Sequence, residues 1–336
     1  MPAWGQEVVG DASTDTENVQ RSLGEIVVTA QRRSENLQSV PIAISSFDSA
    51  TLEAQSVSGL TDLVNITPSL TFTYQAATPA PFLRGVGNTA SFPGAEAEVQ
   101  TYIDGVYYAA QTQGFLKFNN IERVEIDKGP QGTLFGRNAT GGVIQIITKA
   151  PTYEPQAQFT AGYGSYDHIE LDFYGSTGIT SNIATDLAVH YEQHDGWGEN
   201  MNTGADVFKA KSFAIRSKWV WEAGDNTTVT LIGDYGSDNT DLGVAYARTD
   251  NSFFQPPGAI SATGPMGLYT VSQDTEAGSE LRQGGVSLKV ETRLGDLPFV
   301  SISSYRDARQ DSQLHSDAAP EPYNASRVKQ RERVTP

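Results

Sequence analysis

Three side chains that commonly bind metals stand at alternating positions of one predicted strand. His190, Glu192 and His194 occur at every second residue, and such residues project from the same face of a β-strand. His168 begins the preceding predicted strand and would approach them across a hairpin. Imidazole and carboxylate groups suit iron and copper, so the pattern is compatible with a metal or metal-chelate contact. The competing interpretation is a polar wall that hydrogen-bonds to water, which we favour, and we expect neither a resident metal ion nor a cofactor.

A glycine-rich segment between two predicted strands is the second candidate for chemistry. It lies between two segments with the residue types of β-strands, Ile121–Ile126 and Val143–Ile147. Its glycines are Gly129, Gly132, Gly136, Gly141 and Gly142. A phosphate-binding loop is the first hypothesis, but no Gly-Lys-Ser/Thr follows, so nothing would reach nucleotide phosphates or hold magnesium. The glycines instead indicate tight turns or a close approach of the backbone to another surface.

Composition narrows the class of protein. The 336 residues contain 23 Lys and Arg against 40 Asp and Glu, a net charge of −17 that argues against nucleic acid as a partner. Cysteine is absent, which excludes a disulfide framework and thiolate metal sites. No apolar run is long enough for a transmembrane helix, but the strands of a membrane barrel are only half apolar and would not register. We find no nucleophile–base motif and expect no enzyme.

The first half of the chain divides into three parts. Residues 1–24 are polar, without periodicity, and are predicted to be a disordered leader. The β-prone run that follows, within residues 25–31, stands alone; it is either the first strand of the next domain or a peptide that joins another protein's sheet. Residues 32–150 mix short strands and helices, with Asp48 or Ser49 and then Ser58 as helix caps. Asp-Gly at 104–105 predicts a hairpin in this α+β domain.

Residues 151–336 follow a period of two, which predicts β-strands. Seven strands are expected, around Phe159, Ile169, Val189, Ile215, Leu231, Leu288 and Ile302. A soluble sandwich also alternates in this way. Two features favour a membrane barrel instead: Trp and Tyr lie near strand ends, and short connections alternate with long ones. The chain is predicted to end in a polar loop.

Motifs in the first half resemble those of TonB-dependent outer-membrane receptors. Glu-Arg-Val-Glu at 122–125, Gly-Pro at 129–130 and Gly-Gly-Val at 141–143 match the end of the receptors' plug domain, and Tyr-Ile-Asp-Gly-Val-Tyr at 102–107 matches an earlier part. The resemblance implies a mainly β fold, with an α+β plug followed by an incomplete antiparallel transmembrane β-barrel, about seven strands of a 22-stranded family architecture. Because seven strands cannot close, we expect an N-terminal fragment that would not transport by itself.

The resemblance also implies a function and its partners. The expected function is TonB-dependent uptake of a scarce nutrient, such as a ferric siderophore or similar chelate, in the outer membrane, with plug and TonB box reached from the periplasm. The TonB box, which recruits the energy-transducing protein TonB in this family, would be Glu25, Ile26, Val27, Val28, Thr29 and Ala30. Membrane lipid and a small-molecule chelate are the other expected partners. The alternative is a soluble or surface β-rich binding or adhesion protein with an α+β head.

Two further sets of site residues follow from the resemblance. The plug cations Arg84, Arg123, Lys128 and Arg137 are expected to form ion pairs with acidic groups of the barrel wall, such as Glu170, Asp172 or Glu192. The candidates for substrate contact are the plug-loop residues Asn88, Phe92, Tyr107, Tyr108 and Gln111, since aromatic rings and amides are typical of ligand sites. Packing of these rings against the barrel is the competing interpretation.

Overall fold

A computed structural model of the protein describes residues 27–28, 35–36, 42–57, 59–75, 78–88, 97–108, 120–136, 139–201, 203–241, 270–271, 277–315 and 325–334. The leader predicted for residues 1–24 lies outside these ranges. Among the described residues, no helix is both long and apolar enough to cross a membrane.

The first half of the chain contains ten short strands and three short helices. The strands are β1 (Val27–Val28), β2 (Glu35–Asn36), β3 (Ala43–Asp48), β4 (Leu70–Gln75), β5 (Thr78–Leu83), β6 (Val86–Gly87), β7 (Val99–Ile103), β8 (Val106–Tyr108), β9 (Ile121–Lys128) and β10 (Gly142–Thr148). The helices are α1 (Ser49–Ala54), a 3-10 helix (Leu60–Asn65) and α2 (Gly132–Phe135).

A five-stranded sheet is the centre of this half, with the order β3-β9-β10-β7-β8. Only the β10–β7 pairing is parallel. One face of the sheet carries Val99, Val124, Ile126 and Ile144, which pack with leucines from the 3-10 helix, β4 and β5 to form the main core. This alternation between a core face and a second face fixes which side chains of β9 and β10 are available for other contacts.

Of the two predicted helix starts, the first is confirmed and the second is wrong. Asp48 caps α1, as expected, by accepting a hydrogen bond of 2.9 Å from the backbone N–H of Thr51. The second helix does not start at the predicted Ser58, which lies outside the described residues. Gly59 is its N-cap, and the Asp62 carboxylate accepts a 2.9 Å hydrogen bond from the Gly59 N–H. Asp62 thus caps the helix from within its first turn, which a search for a preceding Ser or Asp misses.

The predicted Asp104–Gly105 turn joins β7 and β8. Both residues have positive φ angles, 48° at Asp104 and 81° at Gly105. A two-residue turn of this kind matches the twist of its strands, and glycine adopts the second position without strain. A hydrogen bond of 2.9 Å from the Asp104 N–H to the Ile146 carbonyl also stabilises the turn.

The second half contains eleven strands. They are β11 (Gln156–Gly164), β12 (His168–Thr180), β13 (Ile183–His194), β14 (Gly198–Asn200), β15 (Asp206–Val207), β16 (Ala210–Glu222), β17 (Thr227–Thr240), β18 (Thr270–Val271), β19 (Gly278–Leu294), β20 (Leu297–His315) and β21 (Ala325–Val334). Eight of them form one antiparallel sheet in the order β11-β12-β13-β16-β17-β19-β20-β21. Within the described ranges this sheet is open, with β11 and β21 at its edges.

The count of seven strands and the final polar loop were wrong, because β21 is an eighth strand paired with β20. The physical reason is that seven of the ten residues of β21 are polar, with Lys or Arg at positions 327, 329, 331 and 333. Arg327 bonds to Asp311, and Arg331 to Asp307, at distances of 2.7–3.3 Å across the strand pair. The strand is therefore marked by cross-strand ion pairs rather than by alternating apolar residues.

The large sheet is apolar outside and polar inside. Its outward side chains are exposed and include Phe159, Leu171, Leu187, Trp219, Trp221, Leu231, Tyr235, Leu288, Phe299 and Tyr305. The buried side chains of its other face include Ser176, Asp186, His190, Arg216, Lys218, Gln283 and Arg306. Short connections at 181–182, 223–226 and 295–296 lie at one end, as predicted. This pattern is the inverse of a soluble sheet and matches a membrane barrel, so the predicted mainly β plug-plus-barrel fold is confirmed.

Candidate functional site

The β7–β8 turn contacts the inner face of the large sheet through Lys218. The ammonium group of Lys218, on β16, lies 3.5 Å from the Asp104 carboxylate. It also donates hydrogen bonds of 3.1 and 3.2 Å to the backbone carbonyls of Thr148 and Lys149. Those two residues end β10 and begin the connection to the sheet. The buried Lys218 ammonium therefore contacts both the tip of the hairpin and the end of β10.

Asp104 is arranged to stay charged at this contact. Burial alone would raise the pKa of the Asp104 carboxyl, but the positive charges of Lys218 and Arg216 hold this pKa below its ordinary value. Thr148 contributes as well, since its N–H and hydroxyl donate to the carboxylate at 2.9 and 2.7 Å. A buried carboxylate with these partners is compensated in the way that buried charge requires.

A second contact lies at Tyr108, where β8 ends. The guanidinium of Arg306, on β20, lies 4.1 Å from the centre of the Tyr108 ring. Its two terminal nitrogens also donate to the Asp234 carboxylate of β17, at 2.8 and 2.7 Å. The planar guanidinium thus makes a bidentate ion pair and a cation–π contact at once. Burial raises the pKa of Tyr108 above its usual range, so the phenol stays neutral.

The second face of the five-stranded sheet carries two buried carboxylates, Glu125 and Asp127, neither of which is exposed. Gln145 donates to Asp127 at 2.9 Å. The pKa of Asp127 is raised to about 7, because burial and the charge of Glu125 raise it by more than the Gln145 hydrogen bond lowers it. Asp127 therefore titrates near neutral pH inside the domain, which links protonation to the packing of β9 against β10.

The predicted plug cations have other neighbours than expected. Arg123 bonds to Glu125 and Glu122 of its own strand, at 2.7 and 2.5 Å. Burial, and then the like charge of Arg84, lower the pKa of Lys128, so these two cations lie near each other. Arg137 lies outside the described residues. At the Lys218 contact the polarity is the reverse of the expectation, because the plug supplies the acid and the sheet supplies the cation.

The structure describes three of the five residues that were predicted to contact substrate. Asn88 follows β6 and is half-buried, whereas Phe92 and Gln111 lie outside the described residues. Tyr107 packs against Tyr102, with ring centres 5.4 Å apart, and Tyr108 is covered by Arg306. Tyr108 therefore packs against the sheet in this conformation, and its availability to a substrate stays a prediction.

Six potential metal ligands form what we term the histidine–carboxylate ladder, on the inner face of β12 and β13. Its members are His168, Glu170, Asp172, His190, Glu192 and His194. In the strand register, Glu170 lies opposite Glu192 and Asp172 lies opposite His190. Asp172 approaches His190 Nδ1 at 2.7 Å, and Glu192 approaches His168 Nε2 at 3.1 Å. The structure thus brings the four residues predicted from the sequence together and adds two wall acids.

The predicted TonB box is described only at Val27 and Val28. These form β1, which pairs antiparallel with Glu35 and Asn36 of β2. The segment is thus seen in the extended conformation that strand addition to another sheet requires. Its other four residues, Glu25, Ile26, Thr29 and Ala30, lie outside the described ranges.

Lys218, Arg216, Asp234 and Arg306 were not identified from the sequence as contact residues. A signal for them is nevertheless present. Each is a charged residue on the inner face of an alternating strand, and a charge that is buried there requires a partner of opposite charge. Asp104 was noticed only as a turn residue, because Asp-Gly explains the turn without any distant partner.

Comparisons with known proteins agree with this geometry. Residues 36–143 match the family model described as TonB-dependent Receptor Plug Domain, which covers β3–β9 and the start of β10. Residues 36–143 are therefore similar to the plug domain of the TonB-dependent receptors.

Several members of this receptor family are similar to the chain. The vitamin B12 transporter BtuB of Vibrio cholerae is 32% identical over 105 residues, which are 30% of this chain and 17% of the relative. The pesticin receptor of Yersinia pestis is 33% identical over 125 residues, 37% of this chain and 18% of that receptor. BtuB of Photobacterium profundum is 24% identical over 284 residues, 80% of this chain and 45% of the relative. The chain thus spans less than half the length of the curated relatives it matches.

Solved TonB-dependent receptors share the fold. The ferric yersiniabactin uptake receptor FyuA from Yersinia pestis superimposes with a TM-score of 0.70 at 18% identity, over 87% of this chain and 44% of that one. The siderophore receptor PiuA from Acinetobacter baumannii gives a TM-score of 0.66 at 19% identity, over 83% and 38%. These relatives are receptors and transporters rather than enzymes, which agrees with the expectation from the sequence.

Proposed function

We propose that the protein acts in TonB-dependent active uptake of a scarce nutrient across the outer membrane. The observation that carries this proposal is the packing of a small α+β domain against the polar face of a sheet whose opposite face is apolar. In water, the exposed Trp, Phe and Leu side chains of that outer face would be a large aggregation-prone surface. In a bilayer they are solvated by lipid, and the polar face contacts the plug.

The proposed substrate is a ferric siderophore or a similar metal chelate. Support comes from the names of the similar structures, which include the receptor for ferric yersiniabactin, the siderophore receptor PiuA, and the ferripyoverdine receptor of Pseudomonas aeruginosa. Four of the similar sequences are named as vitamin B12 transporters, and vitamin B12 is also a metal chelate.

The proposed energy source is TonB, acting on the segment Glu25–Ala30. Strand addition supplies affinity through main-chain hydrogen bonds, and Val27 and Val28 already use theirs with β2. TonB would therefore exchange one strand partner for another. In this proposal residues 1–24 are a leader, 25–31 the TonB box, 32–150 the plug and 151–336 the barrel part, with the leader, the TonB box and the short turns on the periplasmic side.

Deletion of residues 25–30 in the native gene tests the coupling. We expect cells to bind a labelled ferric chelate at the surface as before but to lose its energy-dependent accumulation. The matched control deletes six leader residues, Asp15–Gln20, and keeps accumulation. Uptake that survives the first deletion would contradict the coupling proposal.

Fractionation of the same cells tests location and the alternative function. The proposal requires the protein in the outer-membrane fraction. Recovery of folded protein in the soluble fraction would favour the soluble β-rich binding protein that the sequence leaves open, and would overturn the uptake proposal.

A further inference from the structure

The histidine–carboxylate ladder has the geometry of a direct metal-ion site. Neighbouring strands of an antiparallel sheet hold directly opposed side chains about 4.5–5.5 Å apart at Cβ, so the ladder is spaced by the sheet itself. Within it, one ligand atom from each of Glu170, Asp172 and His190 lies within 4.8 Å of the others. Ligands bound at about 2.0–2.2 Å from one zinc ion are at most about 4.4 Å apart. A small side-chain adjustment therefore suffices for all three to bind the same ion.

The imidazole of His190 is oriented before any ion arrives. It is 3% exposed, and Asp172 contacts its Nδ1 at 2.7 Å while Glu192 lies 3.7 Å from its Nε2. Metal-binding histidines commonly have their ring fixed by a carboxylate on the other nitrogen, which raises their basicity. In this arrangement Glu192, on the Nε2 side, can orient the ring, while Asp172, on the Nδ1 side, binds the same ion as His190.

The charge of the ladder also favours a cation. It holds three carboxylates, Glu170, Asp172 and Glu192, against three imidazoles that are neutral when they bind a metal. His168 contacts Glu192 at 3.1 Å, and the rings of His168 and His194 lie 6.0 Å apart. Mixed imidazole and carboxylate ligands suit zinc, copper, iron and nickel rather than the oxygen-preferring calcium and magnesium.

We propose that His190, Asp172 and Glu170 bind a divalent first-row transition-metal ion directly, without an organic chelator, and that Glu192 and His168 support the site. The site lies on the inner face near the end of the β11–β12 hairpin, next to the long connection that follows β13. This inference does not depend on the proposed uptake function, since binding of an ion to the purified protein is measured without transport.

The test is titration of the chelator-treated full chain in detergent micelles with Zn²⁺, followed by calorimetry. Binding of Co²⁺, followed by its visible absorption, reports the ligand field independently. We expect saturable binding of one Zn²⁺ per chain, and affinity at least about tenfold weaker in His190→Gln and in Glu170→Gln. The matched control is His315→Gln at the end of β20, far along the sheet from the ladder, which keeps wild-type affinity.

Two results would overturn the inference: wild-type protein without saturable Zn²⁺ binding, or both ladder variants binding as tightly as His315→Gln. Either would make the ladder an internal salt-bridge network. Because His190 is buried, its variant is compared with wild type by circular dichroism. If His190→Gln does not fold, Glu170→Gln decides alone, since Glu170 is only partly buried and its change leaves the His190–Asp172 contact in place.

Discussion

Replacement of Lys218 by Met should release the plug from the sheet without changing the shape of the wall. Methionine keeps most of the length and apolar surface of the lysine stem but removes the ammonium. The lost contacts are the ion pair with Asp104 at 3.5 Å and the hydrogen bonds to the Thr148 and Lys149 carbonyls at 3.1 and 3.2 Å. All of these groups are at most partly accessible to water, so the solvent does not replace them fully.

The expected cost follows from what remains around Asp104. Removing one partner of a buried ion pair costs about 3–5 kcal/mol when the other charge is left behind. Here the charge of Arg216 and two hydrogen bonds from Thr148 still stabilise the carboxylate. We therefore expect a value at the low end, about 3 kcal/mol. This corresponds to about 100-fold in the equilibrium for opening the contact.

Amide hydrogen exchange measures this equilibrium at two reporters. The Asp104 N–H bonds to the Ile146 carbonyl and the Lys149 N–H bonds to the Asn120 carbonyl, both at 2.9 Å. Both amides should exchange about 100-fold faster in Lys218→Met. The matched control is Lys289→Met, which removes a sheet lysine whose partner Glu291 is exposed, and it should leave both rates nearly unchanged.

A double-mutant cycle with Asp104→Asn isolates the pair. If the contact is real, the two changes are not additive, because either one alone already breaks the ion pair. Simple addition of the two effects, or unchanged exchange in Lys218→Met, would refute the role of Lys218 as the link between plug and sheet.

Three further changes test other parts of the structure. The pKa of Asp127 is raised to about 7, so the folded plug holds a proton that the unfolded chain loses near pH 4; its stability should fall as pH rises from about 4 to 7. Asp127→Asn should remove this dependence in amide exchange of β9, and an unchanged pH profile would contradict the assignment. At Gly142, φ is +148° and an added Cβ would lie 2.4 Å from the Asp127 carbonyl oxygen, so Gly142→Ala should cost about 1–3 kcal/mol in unfolding experiments. Gly132→Ala, which meets nothing within 4 Å, is its control, and equal losses would contradict the steric argument. Leu187→Arg on the outer face, further from the strand ends than the Trp residues, should cost about 2–4 kcal/mol in a bilayer, and equal folding yields with wild type in lipid vesicles would argue against a lipid-facing Leu187.

Much of the fold is visible in local sequence. The strands of the large sheet follow from alternating residues such as Ile183 to Tyr191, because one face meets lipid and the other a polar interior. The Asp104–Gly105 turn follows from the backbone angles that only a few residue pairs adopt readily. Even the alternation of short and long connections was predictable, since it depends only on where the alternating runs end.

The contacts between the two halves were not predictable in the same way. Lys218 and its partners Thr148 and Lys149 are about 70 residues apart, and a lysine on the polar face of a strand has many equally suitable acids in the sequence. Hydrogen bonds to backbone carbonyls cannot be predicted from the types of the residues that carry them. The cation Arg123 carried a clear charge signal but has local partners, because β9 places Glu122 and Glu125 beside it.

The five-stranded sheet of the plug has β3 at one edge and β8 at the other. The different contacts of these two edges predict where the sheet opens under tension. Both wall contacts, at Asp104 and Tyr108, lie at the β7–β8 edge, whereas the N-terminal segment leads into β3 at the opposite edge. The β3 edge is held to β9 by six residue pairs. If TonB pulls on the segment before β3, the force reaches the β3 edge before it reaches the edge that Lys218 and Arg306 contact. We therefore expect β3 amides to lose protection before those of β7 when TonB and substrate are both bound. Simultaneous loss in both strands would mean that the plug moves as one body and that the Lys218 contact breaks in the same step.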